Sequence, residues 1–91
     1  MAEAGFVGAD PDVMRGVGRE FTNAGGDLRN LIARLNTQVQ NISWTGGAAS
    51  HFKGEWETSY VTKLNALADL LEQTGPKVIE KANEIDSVLN P

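Results

Sequence analysis

The sequence predicts an all-α protein, an antiparallel helix-turn-helix hairpin that dimerises into a four-helix bundle. Apolar residues recur at steps of three and four on both sides of the segment NISWTGGAAS, residues 41–50, and no strand-like alternation competes with that period. Only about five residues join the two periodic runs, so the helices must be antiparallel neighbours. At 91 residues with no cysteine, one hairpin is short of buried area and has no disulfide or thiolate zinc site to compensate. Association with a second chain is the remaining device.

Residues 1–9 read as a flexible N-terminal arm, whose Phe6 and Val7 can fold back onto the first turn. Asp10-Pro11-Asp12 then starts helix 1: an Asp to cap an orphan N–H, a Pro suited to the first helical position, and a second Asp at the positive end of the dipole. Helix 1 is expected over about 10–42. Its stripe is Met14, Val17, Phe21, Ala24, Leu28, Leu31 and Leu35, continued by Val39 and Ile42 after one extra step of four, a stutter. Gly16, Gly18, Gly25 and Gly26 each cost about 1 kcal/mol relative to Ala inside a helix, so packing must hold this helix together.

The turn is placed at 43–47, where Gly46-Gly47 lets the chain reverse and Trp44 is carried to the tip. Helix 2 follows over about 48–89, with Phe52, Trp56, Tyr60, Leu64, Leu67, Leu71, Thr74, Val78, Ala82, Ile85 and Leu89 in steps of three and four. Pro76 cannot donate to the carbonyl of Glu72 and disfavours helical geometry at Gly75, so a kink at 75–76 in a continuous helix is expected in preference to a break. The doublets Leu31-Ile32, Tyr60-Val61, Leu70-Leu71, Val78-Ile79 and Val88-Leu89 widen each stripe beyond one line, as a helix with more than one neighbour requires. Candidate seam residues are Phe21, Leu28, Leu31 and Leu35 on helix 1, with Phe52, Trp56, Tyr60, Leu67 and Leu71 on helix 2. The alternative is a monomer with scattered surface Leu and Val.

Chemistry is sparse. His51 and Glu55, four residues apart, offer two metal ligands where zinc takes three or four, and read as a solvated hydrogen bond. TGGAASHFKG fails as a phosphate loop, because Gly54 is followed by Glu55 and no strand precedes it. Asn41-Ile42-Ser43 matches a glycosylation sequon by coincidence at a helix end. The aromatic stripe has no interleaved basic residues, and the net charge of −4 with scattered Lys and Arg argues against nucleic acid. No nucleophile, metal, cofactor or small-molecule site is therefore expected, and the chain reads as a non-enzyme. The segment MAEAGFVGADPDV lacks the basic and apolar regions of a cleaved leader, and no apolar run approaches the roughly 20 residues of a membrane span.

Several of these residues fall together. The Asp10-Pro11 start, Trp44-Thr45-Gly46 at the turn, and GGAASHFKGEW with its small residues, Phe52 and Trp56 give the chain its character. Over nearly its full length it resembles the WXG family, the early-secreted-antigen-like proteins, with Trp44, Thr45 and Gly46 as the signature. The resemblance implies a substrate of a bacterial type VII, ESX-like secretion system. Such a protein dimerises into a four-helix bundle in the cytoplasm and is exported folded, without a cleaved leader, by a membrane ATPase to the cell surface or medium.

The chain departs from the family in one respect. Many members end in a Tyr-x-x-x-Asp/Glu export signal, but here the only Tyr is Tyr60, with Leu64 four residues on. In EKANEIDSVLNP, Ile85 and Leu89 occupy the aligned places. A heterodimer with a second WXG-family chain is therefore favoured over a homodimer, the partner setting its Tyr motif beside Trp44. The rival from another class is a cytosolic helical adaptor or scaffold dimer, for which Trp44 needs only to plug the bundle end. A secretion substrate needs it partly exposed.

Overall fold

A computed structural model describes residues 10–90. Three helices follow one another: α1 (Pro11–Asn41), α2 (Gly47–Glu55) and α3 (Val61–Leu89), with a π-helical turn (Trp56–Tyr60) splicing α2 onto α3. Helix α3 runs back along α1 as the expected antiparallel hairpin, with α2 at its tip, and no strand occurs among the described residues. The molecule is a rod of 64 × 21 × 17 Å. The expected N-terminal arm, 1–9, lies outside the described residues.

Local chemistry explains the ends. The Asp10 carboxylate accepts the Asp12 N–H at 2.9 Å, and Pro11 sits in the first turn, where its missing donor has no helical partner to lose. At the reversal Gly46 adopts φ +106°, a region closed to most side-chain-bearing residues. Its carbonyl then accepts the Ser50 N–H at 3.0 Å and opens α2.

The two antiparallel arms meet through small residues. Gly18, Gly25 and Ile32 of α1 are buried at steps of seven, against Ala68, Gly75 and Ala82 of α3, also at steps of seven. A Cβ added to Gly18 would lie 2.8 Å from the Gly75 carbonyl oxygen, and one added to Gly75 would lie 2.5 Å from the Gly18 carbonyl oxygen. The backbones therefore touch, and two of the glycines that weaken α1 as an isolated helix are what allow it to dock.

The predicted stripe is displaced from this contact by one position. Within the hairpin Val17 and Leu31 are exposed, while Gly18, Gly25 and Ile32, each one residue later than Val17, Ala24 and Leu31, are buried. Met14, Phe21, Leu28 and Leu35, at steps of seven, are half-buried beside them.

The π turn keeps the second arm in register. Buried Ala49 and Trp56 are seven residues apart, but the next buried residue, Ala68, comes twelve later. Each α-helical residue advances about 100°, so twelve overshoot whole turns by about 120° whereas eleven overshoot by about 20°. A π turn holds one additional residue, so twelve behave as eleven and all five buried residues stay on one line. Phe52, Trp56, Tyr60 and Leu64, three successive steps of four, carried that surplus residue in the sequence.

Helix α3 runs unbroken through Pro76. The Glu72 carbonyl loses a donor there, while Gly75 places bare backbone against Gly18 and Thr22. Gly75 thus sits within the close helix contact, with Pro76 exposed beside it.

Candidate functional site

The hairpin has two unlike faces. Arg15, Thr22, Arg29 and Asn36 form a row at steps of seven along one side of α1. Arg15 donates to Asp86 at 2.8 Å, Asn83 at 3.0 Å and Asp12 at 2.9 Å. Arg29 grips Glu72 with two nitrogens, at 2.8 and 3.0 Å, and also donates to Asp69. Such forked contacts fix geometry more than they add stability at an exposed position.

The same contacts perturb the carboxylates. Hydrogen bonding from Arg29 holds the Glu72 carboxyl below its ordinary range, and hydrogen bonds from Arg15 and then Asn90 do the same for Asp86. Nearer the tip, the indole Nε1–H of Trp56, 7 % exposed, donates to Asn36 Oδ1 at 2.9 Å, and Gln40 donates to Glu57 at 2.8 Å. This face is clasped by polar contacts along its length.

The opposite face is apolar and uncovered. Of the nine candidate seam residues the hairpin buries only Trp56; Phe21, Leu28, Leu35 and Leu71 are half-buried. Leu31, Phe52, Tyr60 and Leu67 are 38–45 % exposed. A groove of about 550 Å³ opens on this side toward the α1 N-terminus, walled by Val13, Val17, Phe21 and Leu71 with Gly16 and Ala24 making room. Contiguous exposed apolar surface of this kind marks an interaction site.

At the tip, Trp44 is 41 % exposed and packs its ring against Phe52 at a centroid separation of 5.9 Å. Phe52 in turn meets Tyr60 at 6.3 Å. Ile42 accepts the Trp44 N–H through its carbonyl at 2.9 Å, which fixes the short corner. Leu35, Gln38, Val39 and Ile42 complete a shallow hollow of about 150 Å³ under the two rings. Trp44 is therefore both a lid on the hairpin end and a partly open aromatic surface. Thr45 is exposed, and Gly46 supplies the positive φ of the turn.

His51 is exposed beside half-buried Glu55, and no group of three or more His, Asp or Glu among the described residues is arranged to hold a metal ion. No described helix is long and apolar enough to cross a membrane.

Sequence reasoning missed the polar row, the small-residue contact and the π turn. A signal existed for each: polar residues at 15, 22, 29 and 36, glycines at 18 and 25, and the run of fours from Phe52 to Leu64. Compared with family models, with curated proteins and with solved structures, the chain matches none.

Proposed function

We propose that this chain is a non-enzymatic WXG-type protein that pairs with a second hairpin through its apolar face and is exported as a folded dimer by a type VII secretion system. The observation that carries the reading is the placement of Trp44-Thr45-Gly46 at the tip of a hairpin, with Trp44 partly exposed and continuous with an uncovered apolar face. A scaffold using Trp44 only as a plug has no need of that exposure. Pairing buries Leu31, Phe52, Tyr60 and Leu67, which a lone hairpin leaves wet, and completes a four-helix bundle.

The partner is a second chain of the same family, with a homodimer as the lesser alternative. The dimer forms in the cytoplasm, is recognised by the secretion ATPase and ends at the cell surface or in the medium. Immunoblotting culture medium from cells with the ATPase gene intact and deleted tests this. The protein is expected in the medium only when the ATPase is present. Retention in the cytoplasm of both strains, or release that ignores the ATPase, refutes export by this route and favours the adaptor.

A further inference from the structure

The uncovered face changes in bulk along its length. Toward the open end Gly16 and Ala24 leave the groove between Val13, Val17 and Phe21. Toward the tip the face instead carries the larger side chains of Trp44, Phe52 and Tyr60, with Ile42 beside them. A second hairpin laid parallel sets bulk against bulk and hollow against hollow. Laid antiparallel, it sets the bulky half of each over the hollow half of the other, the arrangement that interdigitates large and small residues.

Full antiparallel overlap puts the crossing point midway between Pro11 and Trp44, beside Asp27. On α3 Leu70 is level with Gly25, two residues before Asp27, because Gly25 packs against Ala68 and Glu72, so a crossing point between the two levels lies about 1.5 Å along the axis from both Asp27 and Leu70. Two exposed rows flank the face symmetrically about this point. They are Glu20, Asp27 and Arg34 on α1, and Lys63, Leu70 and Lys77 on α3, each at steps of seven.

A second copy of the chain would meet these rows unevenly. Glu20 would face Arg34 and Leu70 would face Leu70, both compatible. Asp27 would face Asp27, and each Lys63 would face a Lys77, giving three like-charge meetings along the rim.

We infer that this face fits an antiparallel helical hairpin of different sequence, one that carries a basic residue opposite Asp27 and acidic residues opposite Lys63 and Lys77. The inference rests on the pairing proposed above and adds what the partner's rim must carry. Shape admits a self-pair, and charge counts against it.

A rim-inverted copy tests this without the natural partner. The variant Asp27→Lys, Lys63→Glu, Lys77→Glu leaves every buried row intact, and circular dichroism checks its helix content. Wild type alone and variant alone each repeat three like-charge meetings, whereas a mixed pair has none. Native mass spectrometry and sedimentation of the equimolar mixture are expected to give a mixed dimer at least about tenfold tighter than either self-pair, from three reversed rim contacts. That advantage should shrink between about 50 and about 500 mM salt. Mixed and self dimers in statistical proportion, or a wild-type self-pair tighter than the mixed one, overturn the inference while leaving pairing through the face intact. Absence of any dimer in all three samples overturns the inference that charge along the rim, and not the shape of the face, is what excludes a self-pair.

Discussion

Replacing glycine by alanine should have opposite effects at two positions of the same helix. Gly18 and Gly26 both lie inside α1, so either substitution to Ala gains about 1 kcal/mol of helix propensity. At Gly26 the added Cβ meets nothing within 4 Å, and the gain is realised in full. At Gly18 it meets the Gly75 carbonyl oxygen at 2.8 Å and Ile79 at 2.7 Å. Ile79 can shift its side chain, but the carbonyl belongs to the α3 backbone, so the arms must part by several tenths of an ångström where they touch. Overpacking of this kind costs about 1–3 kcal/mol and spreads to the flanking contacts at Thr22 and Gly25. Gly18→Ala is thus expected to be about 1–3 kcal/mol less stable than Gly26→Ala, and no more stable than wild type. Urea denaturation followed by helical circular dichroism, at one fixed protein concentration, measures both. A Gly18→Ala protein as stable as Gly26→Ala would refute the claim that backbone contact through glycine holds the hairpin.

Other consequences follow from the same geometry. Deleting Thr58 removes the surplus residue of the π turn and should give a straight second arm with helix content kept and stability within about 1 kcal/mol of wild type. Deleting Gln73 instead, between buried Ala68 and Gly75 where no surplus residue can absorb the loss, turns everything after it by about 100° off the seam and should abolish cooperative thermal melting. Trp56→Phe loses the bond to Asn36 and should cost about 1–2 kcal/mol in urea denaturation. Glu72 and Asp86 have folded pKa values below their unfolded ones, so their contribution is present above the ordinary carboxylate range and is lost as pH falls through the lower folded values. Stability measured from about pH 5 down to about pH 3 should therefore fall, and fall less in Arg15→Gln/Arg29→Gln, which lacks both clasps.

The hairpin was legible because its period survives single-residue noise: steps of three and four on both sides of Gly46-Gly47 leave no other fold class open. Which side of each helix meets its own chain was harder to read. Large apolar side chains dominate a pattern search, which sets the seam at Val17, Ala24 and Leu31, while the residues that allow contact are Gly18 and Gly25. Those carry no hydrophobic signal and register only as a cost in helix propensity. The π turn was hidden for a related reason, since a step of four is permitted anywhere in a helix and only three in succession betray an added residue. At the tip, Trp44 and Gly46 were legible as motif members, but the tilted contact of Trp44 with Phe52 needed the corner at Ile42 to be built first.

Pairing and export are joined most directly by a single comparison, in which the full chain carrying Leu31→Glu and Leu67→Glu is assayed in culture medium beside wild type. Both residues lie on the uncovered face and outside the small-residue contact, so the variant should keep its helix content. With the face charged, a second hairpin cannot dock, and the variant is expected to remain in the cell as a folded monomer. Its appearance in the medium at the wild-type level would contradict the account.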